Sequence, residues 1–214
     1  MKARALKFRN IAACAIVLAG CGTAPSPRQL DQIAEGMRKA SFREQGIAKL
    51  DRLNQDEAQK VCSNEAPPSD ALARRIEAAQ FATIQWPADA VSVGDWREVE
   101  KLAQNGRGMT WSDPAGAPSG GNCYNCHRIT NAEISFGTIG PSLYQYGKLR
   151  GVVDAADPAS SAVVKYTWGK LWNSKACNAC SGMPRFGHAG VLTPAQIRDL
   201  MALLLDPKSP VNAL

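Results

Sequence analysis

The stretch Gly121-Asn122-Cys123-Tyr124-Asn125-Cys126-His127 decides how this chain folds and what it carries. Two cysteines three positions apart bring both sulfurs to one side of a helical turn, and a histidine directly after the second projects beneath whatever the sulfurs hold. This is the c-type haem attachment pattern: the thiols add across the two vinyl groups on one haem edge, and the adjacent imidazole reaches the iron. The residues therefore predict one covalently bound haem c, with Cys123 and Cys126 as thioether anchors and His127 as an axial ligand. Two other chemistries use the same cysteine spacing. A thioredoxin-like redox pair belongs beside a βαβ pattern, which this chain does not display. A zinc site would draw four thiolates from Cys123, Cys126, Cys177 and Cys180, but the two pairs lie far apart for a compact ribbon and His127 would have no part in it.

A six-coordinate haem needs a second axial ligand. Met37, Met109, Met183, Met201 and His188 are the candidates. Met201 belongs to the apolar stripe of a helix, Met37 lies far toward the N-terminus, and Met109 comes too soon before Cys123 for the chain to wrap the ring. Met183 and His188 remain. Met183 is preferred, because it precedes Pro184 in a glycine-containing loop, and a thioether is a common partner to histidine in cytochromes c.

At the N-terminus, Lys2, Arg4, Lys7 and Arg9 precede the apolar run Ile11 to Ala19 with no acid among them, the pattern of a secretory signal peptide. Those four cations account for most of the formal charge of +6; without them 21 basic residues face 19 acidic ones, a balance of +2 that two haem propionates would cancel. Basicity is thus no argument for a nucleic-acid partner. The apolar run falls short of the ~20 residues needed to span a bilayer. It ends in Leu18-Ala19-Gly20-Cys21, which resembles the lipobox of bacterial lipoproteins, in which Cys21 would be lipidated; an ordinary small-residue cleavage site is the competing interpretation. Location in the bacterial periplasm, with lipid attachment to a membrane, follows as an expectation.

Helical periodicity dominates the rest. Leu30, Ile33 and Met37 recur at helical spacing; Ile47, Leu50 and Leu53 do so after Ser41, with Glu44 placed to complete a capping box. Asp70 to Ile84 carries Leu72, Ile76 and Ala79. Asp95 opens a helix with Val99 and Leu102 that stops near Gly106, and Thr193-Pro194 with Gln196 opens the last one, striped by Ile197, Leu200, Met201 and Leu204. Strand signals are few and short, so the fold class is all-α.

Further motifs carry a family resemblance. Gly140-Pro141-Ser142-Leu143 followed by Tyr146-Gly147-Lys148 and Arg150 resembles the loop that covers the proximal face of class I cytochromes c. Cys180-Ser181-Gly182-Met183-Pro184-Arg185-Phe186-Gly187 and the tail Asp206-Pro207-Lys208-Ser209-Pro210-Val211-Asn212 resemble the sulfur-oxidation cytochrome subunit SoxX, over about Gly94 to Leu214. The resemblance implies a class I cytochrome c fold with an N-terminal helical extension, and four segments: a lipoprotein-type signal peptide over 1–20, a flexible tether over 21–29, the extension over 30–93 and the cytochrome c domain over 94–214. It implies a heterodimer with a SoxA-like catalytic haem subunit, acting as an L-cysteine S-thiosulfotransferase that joins thiosulfate to a cysteine of a SoxYZ-like carrier. In that complex this chain accepts electrons and passes them to a downstream acceptor, with no catalytic residue of its own. The Pro141 carbonyl is implied to accept a hydrogen bond from His127 Nδ1, which would orient the ring. A generic periplasmic cytochrome c shuttle, and a zinc- or disulfide-stabilised lipoprotein module, are the competing functions.

Seven cysteines complete the count. With Cys14 removed, Cys21 lipidated and two on haem, Cys62, Cys177 and Cys180 remain, an odd number in an oxidising compartment. Cys62 with Cys180 is the preferred bridge, since it would pin the extension beside the distal loop; Cys177 with Cys180 is the alternative.

Overall fold

The computed structural model describes residues 24–88 and 93–213. The signal peptide and Cys21 lie outside them. The chain divides into two compact units, one ending at Arg43 and one running from Glu44, well ahead of Gly94. Among the described residues the elements are helices, plus a lone antiparallel bridge between Gln45 and Ala48, in agreement with the all-α expectation.

The first unit holds helix α1, Pro27–Ser41. It begins inside the stretch expected to be a tether over 21–29, for a local reason. Ser26 accepts from Gln29 N while the Gln29 side chain reaches back to the Ser26 amide, and Pro27 sits at the first helical position, where its missing N–H costs nothing. Proline here starts a helix instead of breaking one. Leu30, Ile33 and Met37 are all exposed.

The helix expected after Ser41 does not form. Ser41 ends α1, its hydroxyl donating to Met37 O, and residues 44–49 make a turn in which Gly46 takes φ +50 against the carbonyl of Trp111. Only a single 3-10 turn, Leu50–Leu53, follows. Then come α2, Glu57–Cys62, capped by Asp56, and α3, Asp70–Phe81, capped by Ser69. Leu72, Ala73 and Ile76 of α3 pack with Ala58, Val61 and Ala179 in a small satellite core, whereas Ala79 is exposed.

Beyond Val93 the main core is built by α4 (Trp96–Gln104), α5 (Tyr146–Leu149), α6 (Ser161–Trp172) and α7 (Pro194–Leu205). Helix α7 is central: α4, α5 and α6 all pack against it, and seven of its residues from Ile197 to Leu205 are buried. Helix α6 buries Val164, Thr167, Trp168, Leu171 and Trp172, a single stripe at helical spacing, and leaves Lys165 and Tyr166 exposed on the opposite face. Its N-terminus follows a 3-10 turn, Pro158–Ser160, capped by Asp157.

The Ser-Pro-Val-Asn tail has a mechanical explanation. The Asn212 carboxamide oxygen accepts from Gly147 N (2.9 Å) and Lys148 N (3.1 Å), in the first turn of α5. Its NH2 group donates to Leu204 O (2.9 Å) at the end of α7 and to Asp206 O (3.0 Å). One buried side chain thus joins the orphan donors of one helix to the orphan carbonyls of another. Asn212→Ala is expected to strand these groups and lower unfolding free energy by about 3 kcal/mol, read from a urea midpoint.

Candidate haem site

The Cys-x-x-Cys-His loop is tied back to α4 at Gly121, whose amide donates to Leu102 O (2.9 Å), and forms a 3-10 turn, Cys123–Asn125. Within it the amides of Cys126 and His127 both donate to Cys123 O, at 3.1 and 2.9 Å, which sets the two sulfurs and the imidazole in one turn. The segment 137–143 then wraps it: Gly137 N donates to Tyr124 O (2.8 Å), Gly140 N to Cys126 O (2.8 Å) and Leu143 N to Arg128 O (2.7 Å). Every second or third residue of the covering loop is hydrogen-bonded to the loop it covers, so the two move as one piece.

Two glycines are required by this close approach. A Cβ on Gly140 would overlap the His127 imidazole, and one on Gly137 would overlap the Asn125 carbonyl. His127 Nδ1 donates to Pro141 O at 2.7 Å. Because a carbonyl only accepts, this contact puts the proton on Nδ1 and leaves Nε2 with a free lone pair, the tautomer that can ligate a metal. Arg128 lies over the Phe136 and Tyr144 rings at 5.7 and 5.4 Å and bonds to Asn131, anchoring the chain just past the histidine.

Cys123 and Cys126 are free thiols, and Cys123 packs against the main core. Burial pushes the Cys123 thiol up to about 12. A thiol so reluctant to ionise is the opposite of a thioredoxin-type nucleophile, which depends on a depressed value. The four-thiolate zinc set is also unavailable, because Cys180 is bonded to Cys62, with Cα atoms 5.3 Å apart. Among the described residues no three His, Cys, Asp or Glu side chains converge as metal ligands. Two thiols beside one histidine with a free Nε2 and a glycine beneath the ring fit a haem c.

The second candidate ligand lies in a differently built loop. Met183 is half-buried against the main core, as are Cys123 and Leu143. Its carbonyl accepts from the fully buried Ser174 hydroxyl (2.6 Å) and its amide donates to Ser181 Oγ (3.3 Å). Phe186 anchors the loop in the core, and Gly187 lies against the Trp172 ring, where a Cβ would overlap. His188 Nδ1 is within 3.2 Å of Thr83 Oγ1, and burial together with the Arg185 charge holds its pKa below the ordinary histidine value.

Apart from the Cys62–Cys180 pairing preferred from the sequence, the contacts of residues 44–88 with this loop left no sign in the sequence. The Arg185 guanidinium, only 14% exposed, pairs with Asp56 at 2.6 Å and donates to Gln80 Oε1 at 3.2 Å. Burial raises the Asp56 carboxyl, but hydrogen bonds from the Gln59 amide and Arg185, with the charges of Arg185 and Lys175, outweigh it and hold the group below the usual aspartate range. Glu77 accepts from Ala179 N (3.1 Å), and the fully buried Asn173 donates to Gln80 and Thr83. Trp168 Nε1 donates to Gln85 O (3.0 Å).

No family model matches the chain. A protein of Aquifex aeolicus described as an uncharacterized lipoprotein is 40% identical over 164 residues, covering 74% of this chain and 73% of that protein.

Proposed function

We propose that this chain, which belongs to the family of the Aquifex aeolicus lipoprotein, is an exported monohaem c-type cytochrome, the electron-accepting subunit of a SoxAX-like complex; the relative bears on the lipid anchor alone. The observation that carries the haem assignment is the His127 site: a Cys-x-x-Cys-His turn whose imidazole has its Nδ1 proton fixed on Pro141 O and stacks over a glycine. Cys123 and Cys126 would hold the group covalently, and His127 and Met183 would ligate its iron. When bound, the haem supplies a one-electron couple. The hydrogen bond from Nδ1 to Pro141 strengthens ring donation through Nε2.

The partner assignment rests on the SoxX-like motifs. Met-Pro-Arg-Phe-Gly and Ser-Pro-Val-Asn are each explained by specific contacts here, and their joint occurrence with Gly-Pro-Ser-Leu favours the SoxX-like role over a generic shuttle. Joining thiosulfate to a carrier thiol forms one S–S bond and releases one proton and two electrons. A SoxA-like subunit would perform that coupling, and this chain would accept the electrons one at a time. The lipoprotein description of the relative supports modification of Cys21, and no helix among the described residues is long and apolar enough to cross a membrane.

Haem staining after denaturing electrophoresis tests the cofactor: a stained band at this chain's mass is expected, and lost in Cys123→Ala with Cys126→Ala. An unstained native protein containing zinc would refute it. Co-purification tests the partner. A second, heavier haem protein retained with the native chain is expected; a lone monohaem protein would leave the shuttle.

A further inference from the structure

The loop carrying Met183 is shaped by turns alone, such as Ala189 N to Arg185 O (2.8 Å) and Val191 N to Phe186 O (2.9 Å). Between the 3-10 turn Ser174–Ala176 and α7 it contains no helix, and the Met183 amide is satisfied only by a serine side chain in the same loop. A thioether is a neutral, soft ligand, so a loop that had to be ordered on ligation would lose much of the bond's benefit to entropy. Besides the Ser174 hydroxyl and the buried Phe186, what orders this loop comes from residues 44–88, an extension that the cytochrome motifs do not include. Asp56 holds Arg185, Cys62 holds Cys180, Glu77 holds Ala179 and Thr83 holds His188, so the extension grips the loop on both sides of Met183.

We propose that Asp56 and Arg185 are positioning residues for the distal ligand: their ion pair, set between the Cys62–Cys180 bridge and the Gln80–Asn173 contact, makes residues 44–88 a clamp that keeps the Met183 thioether on the iron. This rests on Met183 being the axial ligand. The pair is suited to the task because Arg185 is nearly buried and therefore little screened, and because Asp56 is itself fixed at the N-terminus of α2 by the Gln59 amide (2.8 Å). By contrast, Glu57 pairs with Arg75 on the open surface, with side chains 62% and 68% exposed, and touches nothing in the loop.

Exogenous imidazole competes with Met183 for the iron, so its affinity for the ferric full-length holoprotein reads how firmly the loop holds. Asp56→Asn, which keeps an oxygen for the α2 cap, and Arg185→Ala are each expected to bind imidazole about tenfold more tightly than the native protein. Both should weaken the far-red sulfur-to-iron band and lower the reduction potential. Arg185→Lys, which keeps the charge, is expected to recover most of the native behaviour, and Glu57→Gln to match the native protein. If Arg185→Ala does not fold, Asp56→Asn carries the test. A native protein with the far-red band whose Asp56→Asn variant binds imidazole as the native does would overturn the clamp alone. A native protein without the band, with imidazole affinity unchanged in Met183→Ala, would overturn the ligand assignment and the clamp with it.

Discussion

Replacing Met183 with Ala is expected to open the distal position to water or an added ligand and to abolish the far-red sulfur-to-iron absorption of the oxidised protein. Covalent attachment survives, because Cys123 and Cys126 are untouched. Met183→His should retain a six-coordinate low-spin haem at a lower potential, since imidazole donates more strongly than a thioether and favours ferric iron. The drop is expected to be on the order of 0.1 V or more, a modest part of the ~0.8 V span that axial ligands command. The main chain at residue 183 is fixed by the Ser174 hydroxyl independently of the methionine side chain, so the exchange should alter the ligand without releasing the loop. A redox titration with the far-red spectrum decides the matter. If the band persists in Met183→Ala at unchanged potential, another thioether holds the iron and Met109→Ala becomes the next variant; if the native protein lacks the band, His188→Ala does.

Removing the Cys62–Cys180 bridge by the double change Cys62→Ser and Cys180→Ser is expected to cost about 4 to 5 kcal/mol of stability in the chain-entropy model, because the bridge closes a loop of more than a hundred residues. The urea midpoint of the holoprotein measures it. Leaving Cys177 as the lone remaining thiol avoids a replacement bridge with Cys180 that a single Cys62→Ser change would permit. Non-reducing peptide mapping of the native chain should recover Cys62 joined to Cys180. Recovery of Cys177 joined to Cys180, with Cys62 free, would show that the extension is tied to the loop by hydrogen bonds and the Asp56–Arg185 pair alone.

Both effects concern the same loop, and the sequence announced its two ends differently. Features written within a few residues were legible: the Cys-x-x-Cys-His turn, the Thr193-Pro194-Gln196 start of α7 and the Asp95 start of α4, whereas the Gly140-Pro141 pair was marked only by the family resemblance. A cap or a turn is satisfied by neighbours in the chain, so its chemistry is carried in adjacent letters. Where two local solutions competed, the reading was less secure. Ser41 with Glu44 has the spacing of a capping box, but Ser26 had already started α1, which runs through Ser41 and consumes it.

Helix α6 was harder to read. Val164, Thr167, Trp168, Leu171 and Trp172 do recur at helical spacing, but valine, threonine and tryptophan have weak intrinsic helix preference and favour strands as readily. Burial of that stripe against α7 and its neighbours is what makes it a helix. The clamp on Met183 was hidden for a related reason. Asp56 and Arg185, or Gln80 and Asn173, are ordinary polar residues separated by most of the domain, and nothing local marks them as partners. The sequence by itself determined the helical class and the Cys-x-x-Cys-His turn, and narrowed the proposed distal ligand to Met183 and His188, since each depends on spacing. Only the tertiary structure decided that residues 44–88 belong to the same compact unit as Cys123–His127 and that Asp56 and Arg185 join the Cys62–Cys180 bridge in gripping the loop beside Met183, because an ion pair between distant residues has no period or spacing from which it can be read.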